Sequence, residues 1–132
     1  MFYKYKIIFL FIGSNINTKE ELHKNWLKLT VAHQWSNLYH AYSIPIKQRN
    51  IGTPYDNKDI YANVEHNRWL MEKLLLGYRK PTAKEMEEIL SDESKALEYK
   101  NKFVHKDICP YSVLNDSDKE KNTALAEGIS LI

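Results

Sequence analysis

One cysteine, Cys109, is the whole thiol inventory of this 132-residue chain. No internal disulfide or Cys-x-x-Cys site is therefore available, which suits a reducing compartment. With no base or partner thiol evident beside it, Cys109 reads as a small apolar packing residue rather than a nucleophile. Net charge is also scarce. Nineteen Lys and Arg stand against 17 Asp and Glu, a balance of +2 that gives no electrostatic footprint for nucleic acid. The sequence contains no His-Glu-x-x-His, no glycine-rich phosphate loop and no nucleophile elbow, so nothing points to an enzyme, a metal or a cofactor. Glu65 and Glu72 are not placed by spacing as a glycosidase pair.

Long apolar runs are absent too. The longest, Ile7 to Ile12 after Lys4 and Lys6, falls far short of the ~20 residues that span a bilayer. No small-x-small cleavage site follows it. Apolar, β-branched and aromatic residues closed by Gly13-Ser14-Asn15 predict a short strand, and the chain is expected to be cytoplasmic with no membrane partner.

What is present is mostly helical punctuation. Thr18 with Glu21, Thr82 with Glu85 and Ser117 with Glu120 each form the hydroxyl-x-x-carboxylate pattern of a capping box. These predict helices toward Leu29, toward Leu90 and toward a close at Gly128. Asp56 or Asn57 caps a helix that Gly77 ends, and Gly52 closes a segment from about Gln34 to Asn50 that Pro45 must kink or split. Lys84 to Lys102 reads as one or two exposed helices, with a break at Ser91-Asp92 and a thin stripe of Met86, Ile89, Leu90 and Leu97. Pro110 keeps "FVHKDICPY", Phe103 to Tyr111, extended. Lys100, Lys102 and Lys106 read as a solvated basic face.

The stretch "VEHNRWLMEKLLLGYRK", Val64 to Lys80, carries two faces. Val64, Met71 and Leu75, flanked by Ile60, Leu74 and Tyr78, fall on one stripe, which predicts the core face. His66, Trp69 and Lys73 share the opposite side at i, i+3, i+7. An indole between an imidazole and an ammonium suits a planar anionic ligand, with Lys73 and Arg79 reaching the charge. Packing of Trp69 against a neighbouring repeat is the simpler use of the same face. His66 is expected to orient a loop rather than to act as a base. His105 with Asp107 is expected to bond backbone rather than to hold a metal.

A spacing recurs along the chain. Trp26, Leu29, Asn37, Ala41 and Ile44 are matched without a gap by Tyr111, Leu114, Asn122, Ala126 and Ile129. This reads as a repeated unit of an aromatic-x-x-Leu anchor, a turn and a helix, and suggests a pseudo-twofold pair. Only the second copy has a recognisable leading helix, Ile60–Leu76, so about one and a half copies are expected, with the missing helix upstream of Met1 or in another chain.

These residues resemble the RyR domain, the repeat found in ryanodine receptors and in many prokaryotic proteins. Glu65, His66, Trp69, Lys73, Gly77, Tyr78, His105, Pro110, Tyr111, Leu114 and Asn122 carry the pattern, and Trp26 to Gly52 resembles the second half of a preceding repeat. Two departures stand out. Tyr78-Arg79-Lys80-Pro81 replaces a second glycine, and a charged insertion lengthens the link to the His-Pro loop. The resemblance implies a mainly α fold of paired RyR-type helical repeats beside the short N-terminal strand. It divides the chain into a strand-like segment at 1–17, a partial first repeat at 18–55 and a second repeat at 56–132 with an insertion at 82–102. It also implies a non-enzymatic sensing module of prokaryotic type for a nucleotide-like or other anionic aromatic ligand. His66, Trp69, Lys73, Tyr78, Arg79, His105 and Tyr111 are the expected ligand-binding residues, and Trp26, Leu29, Asn37, Leu114 and Asn122 the expected repeat anchors. The alternative is a protein–protein interaction or structural accessory domain, working as a homodimer or within a parent multidomain protein.

Overall fold

The computed structural model describes residues 19–53 and 56–129. The expected strand before Gly13 and the Thr18 cap lie outside the described residues. What is described is mainly α: six helices and a 3₁₀ turn, Tyr111–Val113, with no strand among the described residues. The helices are α1 Lys19–Lys28, α2 Val31–Ile51, α3 Lys58–Leu75, α4 Ala83–Ser91, α5 Glu93–Asn101 and α6 Asp116–Ile129. They fall into two compact units, one drawn from Met1–Glu65 and Glu120–Ile132, the other His66–Lys119.

Local chemistry sets most helix ends. Thr82 and Glu85 form a reciprocal capping box, the threonine hydroxyl accepting from the Glu85 N–H and the Glu85 carboxylate accepting from the Thr82 N–H. Asp92 ends α4 and starts α5, its side chain accepting from Ser94 N–H at 2.8 Å, so the charged segment is two helices. Gly77, at φ +87, ends α3 in a Schellman motif. Its N–H donates to Leu74 O at 3.0 Å, and Tyr78 N–H donates to Lys73 O at 2.9 Å. Helix α2 begins earlier than its sequence suggests, because Thr30 caps it by accepting from His33 N–H. It then runs unbroken through Pro45 to Gly52, at φ +90. The predicted Ser117–Glu120 start of α6 is corrected. Asn115 is the cap, its Oδ1 accepting from Asp118 N–H at 2.8 Å, and the helix continues through Gly128 to Ile129.

The two expected anchors have matching local geometry. Leu29 N–H donates to Trp26 O at 3.1 Å, and Leu114 N–H donates to Tyr111 O at 3.2 Å. The next residues, Thr30 and Asn115, cap with their side chains onto His33 N–H and Asp118 N–H and accept backbone bonds from Gln34 and Lys119. Equivalent bonds therefore recur at one constant offset.

In the first unit, Ile44, Tyr61 and Ala126 form the buried apolar cluster, with Ala41 and Ile51 against it. Burial of Tyr61, worth roughly 1.5–3 kcal/mol for a large side chain, is completed by its hydroxyl donating to Gly52 O at 2.6 Å. Polar groups are buried alongside. Lys47 Nζ pairs with Glu65 Oε2, and His40 Nδ1 lies 2.7 Å from the same oxygen, a close approach rather than an aligned hydrogen bond. Asn37 Nδ2 donates to His33 O at 2.8 Å.

The predicted core face of α3 is overturned. Ile60, Met71, Leu74 and Leu75 are exposed, whereas Tyr61, Ala62, Glu65 and His66 are buried. Periodicity located the apolar side of the helix. The helix instead turns inward the side bearing Glu65 and His66, because those polar groups find specific partners there. Leu90 and Leu97 are likewise exposed, leaving Ile89 as the buried residue of the α4 stripe.

In the second unit, α4 and α5 pack as a hairpin tied by Tyr99 Oη donating to Glu88 Oε2 at 2.6 Å. That bond, with burial, pushes the Tyr99 phenol up to about 12. Helix α5 also ends in Schellman geometry, Val104 N–H donating to Tyr99 O and Phe103 N–H to Lys100 O. Its left-handed position is filled not by glycine but by Phe103, at φ 58. Beyond it, Arg79 N–H donates to Phe103 O at 2.9 Å and His105 N–H donates to Arg79 O at 3.1 Å, a single parallel bridge.

Candidate functional site

The end of α3 and the loop after α5 bring rings together in the second unit. Helical spacing sets His66 beside Trp69 with centroids 5.7 Å apart and planes 25° from parallel. The Arg79–Val104 bridge fixes the start of the loop and so brings His105 edge-on to Trp69 at 5.0 Å and to Tyr78 at 6.4 Å. Tyr111, in the 3₁₀ turn, meets His66 at 6.0 Å. The expected residues His66, Trp69, Lys73, Tyr78, His105 and Tyr111 thus form one continuous cluster.

His66 is buried, and its Nε2 lies 2.7 Å from Cys109 O. A carbonyl only accepts, so Nε2 carries the proton and donates, pinning the loop ahead of Pro110. Cys109 is half-buried, and burial pushes its thiol pKa up, away from nucleophilic reactivity. His105 is held neutral. Burial first, then the charges of Lys100, Lys73 and Lys106, lower its pKa to about 4 against the opposing pull of Asp107. Asp107 N–H donates to His105 Nδ1 at 3.2 Å, which requires that nitrogen to be unprotonated.

Lys73 supplies the cation. Its Nζ lies 5.7 Å from the Trp69 ring centroid and 5.4 Å from that of Tyr78. Glu72 Oε1 is 3.8 Å away, while Glu72 Oε2 takes Arg68 Nη1 at 2.8 Å. One carboxylate therefore lies beside two cations, with the Lys73 ammonium the more distant of them.

Arg79 is not brought to the cluster as a charge. Its guanidinium forks onto Glu85 at 2.7 and 2.8 Å, and that bond leads the causes holding the Glu85 carboxyl down to about 2. The basic face is corrected in part. Lys106 is half-buried between Asp107 and Asp118, and although burial alone would lower its pKa, those two bonds raise it. Comparison with protein-family models, with curated protein sequences and with solved structures returned no match. The molecule's own geometry therefore carries the functional reading.

Two contributors have no sequence signal of the kind that marked the others. Phe103 packs edge-on to Tyr78 at 5.2 Å from a backbone conformation that L residues rarely adopt. Lys100 acts only through its charge on His105. Among the anchors, Leu114 and Asn37 are buried, while Trp26, Leu29 and Asn122 are half-buried. No group of three or more metal-ligating side chains occurs among the described residues. No described helix is long and apolar enough to cross a membrane.

Proposed function

We propose that the chain is a non-enzymatic RyR-type binding module for a nucleotide-like or other anionic aromatic ligand, held at the Trp69–Tyr78–Lys73 cluster. The observation that carries this reading is the Lys73 ammonium, set over two aromatic rings and sharing its nearby carboxylate with Arg68. A planar base gains from stacking on a half-buried ring, and its anionic group completes the neutralisation of Lys73. Neutral His105 offers an edge to the ligand without adding charge, and Tyr111 and His66 hold the loop in place. The matched anchor bonds at Trp26–Leu29 and Tyr111–Leu114 support the repeat that the RyR resemblance implies.

Calorimetric titration with adenine nucleotides tests the site. Trp69→Ala is expected to weaken binding by roughly 10-fold or more, the ~1–3 kcal/mol of one stacked base. Unchanged binding in a folded Trp69→Ala protein would remove Trp69 from the site.

A second reading, an interaction or accessory domain, is favoured by a different observation. Large apolar side chains of α2 and α3 face outward.

A further inference from the structure

Helix α2 is apolar on the side that the described residues of its unit leave uncovered. Asn37, His40, Ile44 and Lys47 face inward and are buried. On the opposite side Val31, Trp35, Tyr39, Tyr42 and Ile46 are each between 50% and 70% exposed. Their spacings of four, four, three and four residues keep them on one stripe over about four turns. Burying polar groups while exposing three aromatic rings is the reverse of a surface helix's usual arrangement, and nothing in the unit's own core accounts for the outer stripe.

The order of residues is close to palindromic. From either end the stripe reads aliphatic, aromatic, then the Leu38–Tyr39 centre, then aromatic, aliphatic. We propose that this α2 stripe is the seam of an antiparallel twofold dimer of the chain, with Val31 opposite the partner's Ile46 and Trp35 opposite the partner's Tyr42. An isologous interface needs such self-complementarity: if residue i meets j, then j meets i.

The area fits a second copy. Three aromatic residues of about 150–250 Å² each and two aliphatic ones, at the exposures above, offer roughly 450–500 Å² of apolar surface. A standard interface uses about 800 Å² per partner, somewhat over half of it apolar. Antiparallel packing also separates the two exposed Arg49 side chains, which parallel packing would set together at one end, and it opposes the two helix dipoles.

Light scattering after size exclusion, on the full chain at high micromolar concentration, tests the proposal. Wild type is expected at twice the chain mass. Tyr42→Glu and, separately, Trp35→Lys are expected at the chain mass with helical circular dichroism retained. Each substitution enters the interface twice, so at least about 30-fold of dimer affinity should be lost. Monomeric wild type overturns the proposal, whether the seam is bare or covered by the chain's own N-terminal segment. So does a dimer that survives both substitutions, or one that is lost instead with Leu75→Glu on α3. In a Cys109→Ser background, Val31→Cys protein mixed with Ile46→Cys protein is expected to give the mixed disulfide dimer. Self-linkage of each variant in place of the mixed species overturns the antiparallel arrangement.

Discussion

Replacing Glu65 by glutamine removes one charge from the interior of the first unit and leaves its counter-ion there. Glu65 and Lys47 side chains are each 5% exposed, and His40, beside the same carboxylate oxygen, is 1% exposed. Surface pairs contribute about 0–1 kcal/mol, but stranding a buried ion costs about 3–5 kcal/mol. Against the 5–15 kcal/mol typical of a domain, Glu65→Gln should therefore remove about a fifth or more of the stability. Lys47→Met should cost a similar amount by removing the buried cation that faces Glu65. The double variant, Lys47→Met with Glu65→Gln, should recover most of the loss, because both charges of the buried pair are then removed together. Urea unfolding followed by far-ultraviolet circular dichroism and by tryptophan fluorescence, for all four proteins, gives the coupling. Single-variant losses below about 1 kcal/mol, or losses that simply add, would refute this reasoning by placing the pair in solvent.

Two further predictions concern the second unit. The His105 pKa of about 4 lies below its ordinary 6.5, so between these values the unfolded chain binds more protons and stability rises with pH. As pH falls from about 6.5 to 4, His105 should withdraw on the order of 2–3 kcal/mol of stability, and His105→Asn should flatten that part of the profile. An unchanged slope in the variant would show that His105 is protonated as readily folded as unfolded. The comparison separates His105 from Glu85 and Glu98, which are held down to about 2 and lose their contribution at lower pH. At Phe103, φ 58 predicts that Phe103→Gly is more stable than Phe103→Ala, by about 1 kcal/mol. Both lose the ring contact with Tyr78, and only glycine relieves the backbone. Denaturant midpoints in the opposite order would contradict the left-handed geometry.

The features legible in the sequence were those decided within one turn of chain. Thr82 with Glu85 announces its helix, and Gly52 and Gly77 mark ends that require positive φ. Where two local signals competed, reading failed. Asn115 with Asp118 captured the α6 start from the equally plausible Ser117 with Glu120, because the cap must directly follow the Leu114 turn. Phe103 escaped detection because aromatic residues carry no left-handed signal; its position is set by the α5 terminus and the bridge from Arg79. The inverted face of α3 was hidden for a different reason. Periodicity reports that Met71, Leu74 and Leu75 share a side, but not whether that side meets a core. That choice went to Glu65 and His66, whose partners lie 18 and 43 residues away. His66, Trp69, Lys73 and Tyr78 could be grouped from spacing and resemblance, whereas commitment of Arg79 to Glu85 depended on the capping box that holds Glu85 at the start of α4.

The motif that singled out Trp69 now has a physical content. Glu65 neutralises Lys47 in one unit, and His66 pins the Cys109 carbonyl in the other. Trp69 lies off the apolar stripe because it packs on His66 and His105 under the Lys73 ammonium. This ammonium is the group proposed to recruit an anionic aromatic ligand. Calorimetry with adenosine monophosphate and adenosine, on wild type and on Lys73→Gln, tests it most directly. The nucleotide should bind wild type about 10–100-fold more tightly than the nucleoside, as a charge-assisted bond of about 1.5–3 kcal/mol requires. That preference should vanish in Lys73→Gln. No nucleotide binding by wild type, or a preference that a folded Lys73→Gln protein retains, would contradict the claim.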